Sequence, residues 1–192
     1  MRIRLFLSWT RWCLFMAGAL AVSYVGLTLL YAKLYQKAAD SELNKQIIEQ
    51  QQHKAGLSKV VAKEGDLLGR IEIPRLGLKV AILEGTTSPT LRLGVGHIGG
   101  TALPGEPGNI GIAGHRDTYF RSLKDIRTGD EIQIQTAADL SRYEVDSVQI
   151  VSPRDIGVLA PSAESAITLV TCYPFHYIGA APKRFVVHAH RE

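Results

Sequence analysis

Residues 131–152 read EIQIQTAADLSRYEVDSVQIVS; apolar residues recur at every second place in 131–136, and in 143–152 they do so through Tyr143, Val145, Val148 and Ile150 with one step of three. Successive side chains of a strand point to opposite faces, so this alternation marks half-buried β-strands rather than helix. Five more runs share the texture: 68–74 (LGRIEIP), 78–84 (LKVAILE), 109–113 (NIGIA), 166–172 (AITLVTC) and 184–190 (RFVVHAH). Gly and Pro separate them, with turn signals such as Thr128-Gly129-Asp130. Nothing after residue 60 carries a long helical repeat. The spacing predicts an all-β domain over 58–192, an antiparallel sandwich or barrel, with short helical turns at 88–95 and 120–126. About 135 residues suffice for one core without disulfide support.

The other end of the chain is of a different kind. Residues 12–31, WCLFMAGALAVSYVGLTLLY, contain no charge, Pro, Asn or Gln, and at about 1.5 Å per residue twenty helical residues cross a hydrocarbon core about 30 Å thick. Trp9 and Trp12 stand at one end, Tyr31 and Tyr35 at the other, where amphipathic rings favour the two interfaces. A cleaved signal has a shorter apolar region and a small-x-small site, whereas Lys37-Ala38-Ala39 has Lys where a small residue is needed. The expectation is therefore an uncleaved transmembrane signal-anchor helix behind a short cytoplasmic tail, 1–11. Arg2, Arg4 and Arg11 precede the span, Lys33, Lys37 and Lys45 follow it, and the bias toward an inside N-terminus is slight. A short tail ahead and a large domain behind fit the simplest insertion, with 32–192 outside. Residues 32–57, rich in Gln, Lys and Ala, read as a polar helical spacer ending near Gly56, with too few apolar repeats to pack into a core.

Charge follows the same division. The chain carries a formal +4. Residues 1–57 hold seven basic and three acidic side chains, so the whole excess lies there and 58–192 is neutral. A basic pI of this origin argues for a membrane address, not for nucleic acid.

The chemistry begins with cysteine. Cys13 lies in the span, so an exported domain has one thiol, Cys172, with no partner outside. A free Cys is most often a buried small hydrophobe, but Cys172 ends an apolar strand and is followed by Tyr173-Pro174, which places it where strand gives way to loop. A thiol nucleophile needs a nearby base or cation, because the thiolate is the reactive form. Of His97, His115, His176, His188 and His190, His115 stands out: it follows NIGIAG and precedes Arg116-Asp117, at a strand end like Cys172. His188 and His190 alternate in a terminal strand with Val186 and read as partly exposed strand residues, and His97 as a surface-loop histidine. Arg184 opens the last strand twelve residues after Cys172. Its guanidinium cannot act as a base but supplies forked donors for a carbonyl or an oxyanion.

These residues resemble a known family. Thr168-Leu169-Val170-Thr171-Cys172 has the form TLxTC of the sortases, membrane-anchored cysteine transpeptidases of bacterial surfaces, and Gly114-His115-Arg116-Asp117 and Arg184 fall in that family's order of His, Cys and Arg. The resemblance runs from about Leu67 to His190, includes Gly69 to Pro74 and ALPGEPGN at 102–109, and is closest to class D or E. It implies a closed eight-stranded β-barrel with short helices behind the membrane helix. It implies Cys172 as nucleophile, His115 as the acid that protonates the leaving amine, and Arg184 as the group holding the substrate carbonyl or oxyanion. The implied substrate is a surface protein with an LPxTG-like sorting motif, cut between Thr and Gly and transferred through a thioester to an amine of a peptidoglycan precursor or a pilin lysine. The implied address is the bacterial cytoplasmic membrane, single-pass, with the catalytic domain outside.

No cofactor is expected. The acidic residues Asp125, Asp130, Glu131, Asp139 and Asp146 form no dense oxygen-ligand loop, so no obligatory metal is expected either. Rival readings are a cysteine endopeptidase resolving the same thioester with water, a metal-binding surface protein using Cys172, His115, His188 and His190, and a non-catalytic interaction module. An L,D-transpeptidase is disfavoured, since its SHGC-like motif is absent.

Overall fold

The computed structural model describes residues 2–52 and 62–192, and the chain divides into two units, Met1–Tyr35 and Gln36–Glu192. The first is part of one helix, α1 (Arg2–Gln52). Within Trp12–Ile48 this helix contains an 18-residue window of mean hydropathy 2.0 and is long and apolar enough to cross a membrane. Leu14, Phe15, Leu20 and Val22 point outward unpacked, an arrangement that hydrocarbon tolerates because the helix satisfies its own backbone groups. The expected end of the helix near Gly56 lies outside the described residues.

The second unit begins with the rest of α1, and here the expected stand-off spacer is corrected. Leu43 is only 2% exposed and Ala39 is buried with it. Gln36 Oε1 accepts from the Ala81 amide at 2.9 Å, Gln36 Nε2 donates to the Leu93 carbonyl, and Asp40 pairs with Arg70 at 3.1 Å. Gln36, Ala39, Asp40 and Leu43 share one helix face at spacings of three and four. Sequence periodicity missed this face because two of its four members are polar and grip the barrel by hydrogen bonds rather than by apolar area.

Eight strands close into a barrel: β1 (Leu67–Ile73), β2 (Leu78–Glu84), β3 (Val95–His97), β4 (Asn109–Gly114), β5 (Glu131–Gln135), β6 (Leu140–Val151), β7 (Ala166–Tyr173) and β8 (Lys183–Arg191). Their order around the barrel is β1-β2-β3-β4-β7-β8-β6-β5, and β5 returns to β1. Closure leaves little open strand edge: β3 pairs only with Ile82 to Glu84 of β2, and the Ala81 amide ahead of them is taken by Gln36. The eight-stranded barrel is the expected fold, and two details differ from the sequence reading. β3 is only three residues long, too short for an alternation to register, and it follows the short helix α2 (Ser88–Leu93), its first residue falling in the stretch read as helical turn and its last read as surface loop. The pairs β2–β3 and β4–β7 are parallel, not antiparallel. Each has a crossover to bring the chain back to the same end, α2 in the first case and the β5–β6 excursion in the second.

Alternation sorts the strands into two faces. Ile71, Ile73, Val80, Ile82, Ile110, Ile112, Ile132, Ile134, Tyr143, Val145, Ile167, Leu169, Phe185 and Val187 fill the interior together with Phe120 and Leu123 from the 3-10 segment Tyr119–Asp125. Each such side chain removed from water contributes about 1.5–3 kcal/mol before the entropy of ordering it. A salt bridge braces the outside: Arg75 donates to both carboxylate oxygens of Asp130 and to the Asp125 carbonyl, which holds the Asp130 carboxyl below its usual range.

Candidate active site

With odd-numbered residues of β7 and β8 turned inward, the even-numbered ones form a strip on the outer surface: Thr168, Val170 and Cys172 on β7, facing His188, Val186 and Arg184 on β8. Cys172 and Arg184 are direct partners in the antiparallel register. On the other side of β7, parallel β4 places Gly111 beside Thr168, Ala113 beside Val170 and Gly114 beside Thr171. One residue further, the same register sets His115 level with Cys172. Three residues far apart in sequence thus come to one end of three adjacent strands. Cys172 is a free thiol of intermediate exposure, and His115 and Arg184 are likewise half-buried.

The His115 turn and the Cys172 strand are fastened to each other at this end. Thr171 Oγ1 donates to the Gly114 carbonyl at 2.7 Å in a buried bond, joining the residue before Cys172 to the residue before His115. After His115 the chain folds back, with the Phe120 amide donating to the His115 carbonyl at 3.0 Å. That return lays the Phe120 ring against Gly114, where a Cβ would lie 2.6 Å from a ring carbon. Only glycine admits so close an approach. Arg184 Nη1 donates to the carbonyls of Lys183 and Ala181 at 3.0 and 3.3 Å, while its Nε and Nη2 make no hydrogen bond among the described residues.

Further down the strip the outward residues are covered. Thr168 has no exposed surface, and its hydroxyl belongs to a chain of bonds whose direction is determined by the acceptors available. Asn109 Nδ2 donates to the Ala160 carbonyl at 3.2 Å, Thr168 Oγ1 donates to Asn109 Oδ1 at 2.8 Å, and the Thr168 oxygen, its proton so used, accepts from His188 Nδ1 at 3.1 Å. His188 therefore carries a proton on Nδ1. Burial pushes its pKa down, against a smaller upward pull from the Asp146 carboxylate. Ala160 ends the 3-10 turn Ile156–Leu159, so this chain ties the β6–β7 loop to the barrel as a wall beside the strip.

His97 and His190 are engaged away from this end of the strands. His97, expected on a surface loop, is 3% exposed. Its Nδ1 lies 2.8 Å from a Glu84 carboxylate oxygen and its Nε2 is 3.0 Å from both the Ala102 carbonyl and Thr101 Oγ1. Thr101 Oγ1 in turn donates to the Ile98 carbonyl and accepts from the Gly111 amide, so His97 ties down the loop that leads into β4. His190 pairs with Asp146 at 2.6 Å on the surface. The metal-centre reading fails on distance: His188 is four residues from Arg184 along β8, about 13 Å at strand rise. Among the described residues no group of three His, Cys, Asp or Glu could hold an ion.

A sortase domain model matches residues 71–192. The chain belongs to the sortase family. It is 34% identical over 166 residues to sortase D of Bacillus subtilis, covering 85% of this chain and 82% of that protein. Among solved structures it is similar to a sortase D5 transpeptidase of Clostridium perfringens, with TM-score 0.69, 31% identity and coverage of 82% of this chain and 98% of that one. It is similar as well to sortase C of the same organism solved with a C-terminal cell wall sorting motif, with TM-score 0.63, 29% identity and coverage of 80% and 87%. This sortase is thus a class D-like member of a family of cysteine transpeptidases that act on surface proteins. The sequence did not disclose the parts played by Asn109, Thr171 and Gly114. The two Thr of TLVTC were the available signal for Thr171, but nothing in the sequence says that its hydroxyl turns inward to Gly114.

Proposed function

We propose that this sortase cleaves an LPxTG-like sorting motif between Thr and Gly and transfers the surface protein to an amine. The observation that carries the reading is the register that pairs Cys172 with Arg184 and brings parallel β4 to end one residue before His115. The Cys172 thiolate attacks the Thr carbonyl carbon, and the oxygen takes up the negative charge beside Arg184. Arg184 Nε and Nη2, which make no hydrogen bond among the described residues, are donors suited to that oxygen. As the carbon–nitrogen bond breaks, His115 gives its proton to the departing Gly amine, leaving a thioester on Cys172. An incoming amine then attacks the thioester carbonyl, His115 takes the amine's proton, and the thiolate departs. A peptidoglycan precursor or a pilin lysine supplies an amine of the right kind.

The apolar helix supports a membrane address. With residues 1–11 in the cytoplasm and 12–31 in the bilayer, the barrel faces outward at the bacterial cytoplasmic membrane, where sorting motifs of exported proteins arrive. The test is to incubate the full chain in detergent with an LPxTG-type peptide and look by mass spectrometry for an acyl adduct on Cys172. The adduct should form, disappear in Cys172→Ala, and be discharged to a ligated product when an amine is added. No adduct with any sorting peptide, or discharge to acid alone at saturating amine, refutes the transpeptidase reading.

A further inference from the structure

The residue after His115 has an unusual set of partners. Arg116 Nη2 donates to the Tyr177 carbonyl at 2.6 Å and to the Gly179 carbonyl at 3.1 Å. Its guanidinium carbon lies 5.9 Å from the centre of the Tyr177 ring. These partners belong to the loop of residues 174–182 that joins β7 to β8, between Cys172 and Arg184. One guanidinium on the His115 turn therefore holds the loop that links the other two site residues. The two carbonyls flank a single residue, Ile178, and Gly179 has φ +97°, a left-handed conformation that lets the chain turn both toward Arg116.

Two observations indicate that this lock serves placement more than stability. Arg116 Nη1 is buried and has no hydrogen-bond partner among the described residues, an arrangement that a purely stabilising contact would avoid, since a buried unpaired donor is costly. Ile178, held between the two bonded carbonyls, is 97% exposed. Charge-assisted bonds on both sides hold this side chain in water, in the loop that runs from the Cys172 strand to the Arg184 strand. We propose that Arg116 is a positioning residue that locks the β7–β8 loop so that Ile178 is presented to the peptide substrate. The inference rests on the transpeptidase reading for its substrate, and on the Arg116 hydrogen bonds alone for the lock.

The experiment has an arm for each. In the full chain, hydrogen exchange of the amides in 174–182 should speed up in Arg116→Ala and remain as in wild type in Ile178→Ser, which leaves the lock untouched. With an LPxTG-type peptide, both variants should raise KM about tenfold and leave kcat within about twofold, as expected when the binding-competent loop is populated less or its contact is removed. Arg116→Lys keeps the charge but loses the planar guanidinium beside the Tyr177 ring, and should fall between wild type and Arg116→Ala in both measurements. Unchanged exchange in Arg116→Ala overturns the lock. Unchanged KM in Ile178→Ser, a surface change with no folding consequence, overturns the presentation, and a fall in kcat at constant KM in Arg116→Ala assigns Arg116 to His115 instead. Absence of turnover in wild type itself points to the functional reading, and the exchange arm still decides the lock.

Discussion

Thr168→Val separates two accounts of why a threonine stands at the first place of TLVTC. If that position wants a β-branched shape for packing against Val170 and the covering loop, valine, equal in shape, is tolerated. If it wants the hydroxyl, valine breaks the chain of bonds from His188 through Thr168 and Asn109 to Ala160. Asn109 Oδ1 then faces a methyl group in a buried site, which costs about 1–3 kcal/mol, and the loss of the His188 bond adds about 0.5–1.5 kcal/mol, reduced because that half-buried ring can turn to water. The sum is about 1.5–4.5 kcal/mol. For a folded unit the size of Gln36–Glu192, an unfolding entropy of about 2.1 cal/mol/K per residue converts this to a fall in Tm of about 5–14 °C. Thr168→Ser keeps the hydroxyl and loses one methyl, which costs about 1 kcal/mol and about 3 °C. Thermal unfolding of the full chain in detergent, followed by near-UV tyrosine dichroism, measures both. A valine variant as stable as the serine variant, or more stable, refutes the hydroxyl account.

Three further outcomes follow from the same structure. Gly114→Ala drives a methyl into the Phe120 ring, costs about 1–3 kcal/mol and displaces His115, so acyl-adduct formation should slow sharply; Phe120→Leu in the same chain should restore part of it, and failure of any rescue would falsify the steric cause. Leu43→Ala in α1 should lower stability by about 2–5 kcal/mol, whereas a free tether would not respond. Burial holds the His188 pKa below its ordinary 6.5, so in acid the unfolded chain takes up a proton before the folded one does. The contribution is complete above pH 6.5 and is lost as pH falls from there through the folded value. Urea unfolding between pH 7.5 and 5 should show a shallower acid loss in His188→Gln, and an equal loss in both proteins contradicts the assignment.

The sequence by itself determined the division into apolar helix and β domain, because a twenty-residue uncharged run and a two-residue alternation are local properties that need no partner to be recognised. It also singled out Cys172, His115 and Arg184, since each sits where a strand runs into a loop beside a recognisable string of residues. Tertiary structure decided everything that depends on which strand lies beside which. β3 is set by its pairing with β2 and β4, not by three residues of pattern. The face of α1 that carries Gln36, Ala39, Asp40 and Leu43 acquires its meaning from Ala81, Leu93 and Arg70, thirty or more residues away. His97 looked like a loop histidine because Gly surrounds it, yet Glu84 and Ala102 enclose it. The bond from Thr171 to Gly114 and the grip of Arg116 on the β7–β8 loop exist only once parallel β4 lies against β7. Local pattern records what a residue prefers, whereas hydrogen bonds between distant segments depend on register, which a barrel settles only when all eight strands close.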